Sequence, residues 1–149
     1  MEEYGLMILD NVGGMDSKVS TISQYMYNYI IIDDSFRELK TLFLDMAKDE
    51  MKHLNILMTL ALTLNMNPRW WTCLNDQCCY WSPSYLNYSR QITNIIINAL
   101  EIEYKMINKL LYQVNIIDDP KIISILNQII YDNKKHITLL KKWETKLVR

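Results

Sequence analysis

Two stretches of the 149-residue chain share an unusual pattern: Asp49-Glu50-Met51-Lys52-His53 and Asp132-Asn133-Lys134-Lys135-His136. Residues three apart on a helix lie on one face, so Glu50 and His53 can turn a carboxylate and an imidazole toward one point. Such a pair is a ligand set for a divalent ion. E-x-x-H alone arises by chance in many helices. Here, however, the chain's only two histidines both fall on apolar helical seams, each beside another polar residue. Glu103 interrupts a third seam and Lys18 a fourth. A buried carboxylate without a partner costs several kcal/mol. Glu50 and Glu103 therefore require a cation, and a metal ion or Lys18 can supply it.

The elements that hold these residues are helices. Half of the chain is hydrophobic and 22% is charged, which fits one domain, residues 1–149, with a sizeable core. Three glycines and three prolines are too few for the turns of a sheet protein, so the fold class expected is all-α. Start signals at Asp16 or Ser17, Ser82-Pro83 and Asp119-Pro120 divide the chain into helices at about 16–32, 36–65, 83–115 and 120–146. Each has a seam spaced by fours and threes, as in a bundle. In the second, it runs through Leu39, Phe43, Met46, Glu50, His53, Leu57, Leu60 and Leu64. In the fourth, it runs through Ile122, Leu126, Ile129, Asn133, His136, Leu140 and Trp143. Lys18 and Glu50 each lie 16 residues from the turn at Asp34, while Glu103 and Asn133 each lie 15 from Asp118. Residues equidistant from an antiparallel turn share a level, so the polar residues form one layer.

Several function classes fall away. With 16 basic and 17 acidic residues, a net charge of −1 and a pI near 6.1, the chain lacks the positive charge that nucleic-acid binding leans on. The opening MEEYGLMILD is acidic where a secretory signal is basic, and the most apolar window, Ile56 to Met66, is too short to span a bilayer. A cytoplasmic protein with no membrane partner is expected. Cys73, Cys78 and Cys79 are an odd, clustered set, which makes no secreted disulfide framework. Their spacing also fits no zinc knuckle well. The tryptophans and Tyr80 of the long connector read as an apolar strap or a subunit contact, which favours a homodimer. Tyr25, Tyr29 and Tyr104 fall near the polar layer, where Tyr25 and Tyr104 could hydrogen-bond to metal ligands.

The chain resembles the ferritin-like superfamily, in its rubrerythrin and manganese-catalase branch, over nearly its whole length from about Ser17. LFLDMAKDEMKHLNIL is similar to the second-helix motif, ALEIEYKMI to the third and IIYDNKKHITLL to the fourth. The connector NPRWWT…YWSPSYLNYSR resembles that of short ferritin-like proteins of spore-forming bacteria, which implies spore association. The resemblance implies a four-helix bundle with a long connector between helices 2 and 3. It also implies an iron or manganese site made from Glu50, His53, Glu103 and His136, and chemistry on peroxide or oxygen. Two ligand positions are substituted: Lys18 stands where the first helix supplies a glutamate, and Asn133 where the fourth supplies a bridging glutamate. Two carboxylates and a lysine would leave two divalent ions with about three uncompensated positive charges in a dry core. That leaves one ion on Glu50, Glu103 and His136, or no ion and Lys18 paired with Glu50. The first outcome is a degenerate metal site with residual redox chemistry. The second is a metal-free bundle with a structural or assembly role, as a coat or partner-binding component.

Overall fold

Ser17 has an extended backbone and accepts a hydrogen bond from the Ser20 amide, which caps the helix Lys18–Ile31. Asp33 caps a short 3-10 turn that leads into the helix Arg37–Thr63. Asp119 accepts from the amides of Lys121 and Ile122 and opens the helix Pro120–Val148, with proline at its first position. These starts lie where the sequence signals place them. In a computed structural model that describes residues 2–148, the helices are α1 (Glu2–Gly13), α2 (Lys18–Ile31), α3 (Arg37–Thr63), α4 (Ile92–Ile116) and α5 (Pro120–Val148). The last four form a four-helix bundle of two antiparallel pairs, α2 with α3 and α4 with α5. None of the described helices is long and apolar enough to cross a membrane.

The seams form the core. Every seam residue of α3 from Leu39 to Leu60 is buried, as is every one of α5 from Ile122 to Leu140. Leu64 and Trp143, at the seam ends, are half-buried.

Three parts of the architecture differ from the sequence expectation. First, residues 2–13 form a helix, α1, that the turn signals do not mark. Its Ile8, Leu9 and Val12 are fully buried, and its Asn11 exchanges two amide hydrogen bonds with Gln113 of α4, at 2.7 and 3.1 Å. Second, α4 begins at Ile92 rather than near 83. Ser82-Pro83 opens only a 3-10 turn, Pro83–Tyr85. The Gln24 side chain then binds both the amide and the carbonyl of Asn87, and Tyr27 donates to the Tyr88 carbonyl. Partners on α2 thus take the backbone groups that an earlier helix start would use.

Third, the connector contains a β-hairpin of β1 (Trp71–Leu74) and β2 (Gln77–Tyr80), with Cys73 opposite Cys78. Its turn uses Asn75 and Asp76, both at positive φ (53° and 60°). These residue types tolerate that conformation without glycine, so the low glycine count did not exclude a hairpin. A disulfide joins Cys73 to Cys78, a pairing the spacing does not point to, and Cys79 stays free and exposed. The expected apolar strap is only partial: Trp71 and Trp81 are half-buried, whereas Trp70 is 47% and Tyr80 62% exposed. The basis for a homodimer narrows to those exposed rings. Polar bonds anchor the connector, from Thr72 to Asp10 of α1 (2.6 Å) and from the Trp81 indole to Ser20 of α2 (2.9 Å).

At Gly13, α1 ends directly against the hairpin: a Cβ there would lie 2.4 Å from the Trp71 backbone nitrogen. Gly13→Ala should therefore lower the unfolding free energy by about 1–3 kcal/mol in urea titrations. At Gly5 the close contact of an added Cβ is with the flexible Met66 side chain, at 2.8 Å, and the Leu64 carbonyl lies at an ordinary 3.4 Å, so Gly5→Ala should cost less. Equal losses would refute this close approach.

Candidate metal centre

All four bundle helices reach the polar layer. α2 contributes Lys18, α3 Glu50 and His53, α4 Glu103, and α5 Asn133 and His136, all buried. Lys18 Nζ lies 2.5 Å from Glu50 Oε2. His53 Nδ1 approaches that same oxygen at 3.3 Å. The surroundings orient the Asn133 amide so that its nitrogen donates to Glu50 Oε1 at 2.9 Å and its oxygen accepts from Lys18 at 3.2 Å. One half of the layer is thus built around an ammonium group. The other half is built around His136, whose Nδ1 lies 3.1 Å from Glu103 Oε1 and 3.3 Å from Glu50 Oε1. Tyr25 donates to Glu103 Oε1 at 2.6 Å.

Of the four expected ligands, the structure brings three together. One ligand atom each from Glu50, Glu103 and His136 lies within 4.8 Å of the others. His53 faces the half that Lys18 fills. Tyr25 is where the sequence places it, but Tyr104 is not. It lies next to Glu103 in sequence, about 100° round the helix, and is 41% exposed under Lys141. Tyr29 lies beneath Lys40.

Asp49 and Asp132 are the residues that sequence reasoning missed. Asp49 Oδ2 lies 3.1 Å from Nε2 of His136, and Asp132 Oδ2 lies 2.8 Å from Nε2 of His53. Each histidine is thus gripped across the bundle by the aspartate that opens the other repeat. This fixes the ring so that Nδ1 faces inward. The signal was the shared leading Asp of the two repeats. These pairs line a groove of about 690 Å³ between α3 and α5, flanked by Lys52 and Lys135.

Opposed effects set the charges. Burial disfavours ionised Glu50, but the Lys18 ammonium and hydrogen bonds from His136 and His53 outweigh it and hold the carboxyl well below its ordinary range. Glu103 is pushed up, chiefly by burial and then by the charge of Glu50, against the bond from His136. Burial lowers His136, yet its bonds to Glu103 and Glu50 carry it from 6.5 to about 10. Burial, followed by the Glu103 carboxylate, raises the Tyr25 hydroxyl well above its ordinary value. Protonated His136 and Lys18 together balance the two carboxylates.

The donor set also fits one divalent ion. Glu103 Oε2 is buried with no hydrogen-bond partner among the described residues, beside the Glu50 carboxylate and His136 Nδ1. An ion bound there would replace the His136 proton and leave the layer one positive charge in excess. A second ion would compete with Lys18 for Glu50.

A family model described as Rubrerythrin matches residues 19–145. No curated protein matches the sequence. Among solved structures, KatB, a manganese catalase from Anabaena, is similar at a TM-score of 0.84 and 18% identity, over 97% of this chain and 72% of that one. The Mycobacterium tuberculosis bacterioferritin BfrA is similar at 0.79 and 20%, over 95% and 84%. A dodecameric thioferritin from Bacteroides fragilis is similar at 0.77 and 16%, over 99% and 88%.

Lys18→Met leaves Glu50 buried without its cation and should cost roughly 3–5 kcal/mol in chemical unfolding. Adding Glu50→Gln should recover much of that loss, and a purely additive double variant would refute the pairing. The pH response of chelator-treated protein tests His136. Its pKa is higher in the folded than in the unfolded state, so its stabilisation is full below pH 6.5 and is lost as pH rises toward about 10. His136→Gln should flatten this part of the stability profile. An unchanged slope would show that the ring does not bridge the carboxylates.

Proposed function

The chain belongs to the rubrerythrin family, and from this we propose that it is a ferritin-like metal-binding protein holding a single iron or manganese ion on Glu50, Glu103 and His136. The observation that carries this reading is the convergence of three buried donors around a Glu103 oxygen without a hydrogen-bond partner. Carboxylate and imidazole donors suit either metal. The bound ion would supply Lewis-acid and one-electron redox chemistry toward peroxide or oxygen.

The protein's own residues have separable tasks. His136 offers Nδ1 because Asp49 holds Nε2. Tyr25 occupies Glu103 Oε1 and leaves Oε2 for the ion. The apolar seams above and below the layer exclude water. Lys18 occupies the other half, as a fixed cation that carries no electrons. Peroxide chemistry that needs two metals is therefore not part of this proposal, and any turnover is of a one-ion kind.

A second reading has its own support. His136 and Lys18 already neutralise Glu50 and Glu103, so the layer is charge-balanced without a metal. On that reading the bundle serves a structural or assembly role. Elemental analysis after expression with iron and manganese separates the two. The wild type should retain about one ion per chain, and Glu103→Gln should lose it. Lys18→Glu with Asn133→Glu should raise the content toward two. A wild type that emerges metal-free from gel filtration would leave the second reading standing.

A further inference from the structure

The hairpin carries chemistry that the metal layer does not use. Cys73 and Cys78 are direct cross-strand partners, and the disulfide between them closes only the turn Leu74–Gln77. That turn is already closed. Leu74 pairs with Gln77, and the positive φ angles of Asn75 and Asp76 set the reversal. A cross-link over so short a loop removes little freedom that the ladder has not removed already. The bond is therefore not what holds the hairpin in shape.

Its placement is outward. Side chains alternate along a strand, and Thr72 points to Asp10 of α1. Trp71 and Cys73 therefore lie on the opposite face, with their partners Tyr80 and Cys78. Trp71 and Tyr80 stack on that face at 6.3 Å, with the Arg69 guanidinium 3.9 Å from the Trp71 ring. Every residue of β2 is exposed. Cys79 is on the inner face opposite Thr72, with its sulfur 3.8 Å from the Tyr85 hydroxyl. It faces away from the disulfide.

We propose that Cys73 and Cys78 form a reversible thiol–disulfide site that exchanges with an external dithiol through the outward face of the hairpin. A thiolate of the dithiol attacks Cys78 Sγ, on the more exposed of the two residues. The S–S bond breaks, and Cys73 leaves as a thiolate and takes a proton. The donor's second thiolate then attacks its own sulfur in the mixed disulfide and releases Cys78, which is protonated in turn. Two electrons and two protons pass to the protein, and the donor leaves as a disulfide. An external disulfide reverses the exchange. The bundle does not depend on the bond, because the hairpin is anchored through Thr72, Trp81 and the Gly13 contact instead.

The test is alkylation of the native chain. Air-oxidised protein and protein incubated with excess dithiothreitol are treated with iodoacetamide without denaturant and weighed by mass spectrometry. Cys79 serves as the internal reference. The expected result is one adduct before reduction and three after it, with the helical circular dichroism unchanged. The Cys73→Ser/Cys78→Ser variant should keep the wild-type unfolding midpoint and take one adduct in both conditions. Three adducts before reduction, or a disulfide that survives dithiothreitol until denaturant is added, would overturn the proposal. A clearly lowered midpoint in the double variant would do the same, by making the bond a structural brace.

Discussion

Lys18 and Glu50 meet at 2.5 Å in the interior, and the rest of the polar layer is arranged around that contact. Two opposite charges removed from water stabilise a fold only when further hydrogen bonds satisfy their remaining atoms. Asn133 meets this demand on both sides at once, by accepting from the lysine and donating to the glutamate. A glutamate at position 133 would have brought a third carboxylate to a single ammonium group. Lys18 and Asn133 therefore act as one unit around Glu50. With the cation on α2 paired to Glu50, the neutral amide on α5 completes the network.

The same constraint explains why His136 differs from His53. Both rings are fixed from outside by an aspartate of the opposite repeat. Inside the layer, His53 meets the Glu50 oxygen that already faces an ammonium group, whereas His136 stands between the Glu50 and Glu103 carboxylates, on the oxygens that Lys18 does not contact. The sequence repeat is nearly symmetric, but the electrostatics are not. The proposed ion, or the proton it would displace, belongs on the His136 side. This asymmetry separates the layer from a symmetric two-ion site without altering the fold around it.

Much of this was legible in the residues. Seam positions such as Phe43, Leu57, Leu126 and Leu140 are buried because a period of fours and threes has one packing solution in a bundle. Turn distances placed Lys18 level with Glu50 because antiparallel helices rise equally on either side of a turn. The misses share a different cause. Residues 86–91 stay extended because Gln24 and Tyr27 hold their backbone, and that contact spans about sixty residues of sequence. α1 depends likewise on Gln113, 102 positions away from Asn11. Tyr104 failed by one step of helical rotation, and Asp49 was overlooked although the repeat contains its counterpart. Local pattern carries periodicity and caps; it does not carry which distant side chain will claim a backbone group.

The division into two helical hairpins has a kinetic consequence. α2 with α3, and α4 with α5, are each joined by a short turn, so their contacts are local and form early at little entropic cost. Neither pair contains the whole polar layer. Lys18, Glu50 and His53 come from the first, and Glu103, Asn133 and His136 from the second. Until the hairpins dock, Glu103 has neither Tyr25 nor Glu50 beside it, and His136 lacks Asp49. Dehydration of the charged layer is thereby deferred to the docking step. That step carries the cost of desolvating the charges, because the layer's charged residues are divided between the two hairpins.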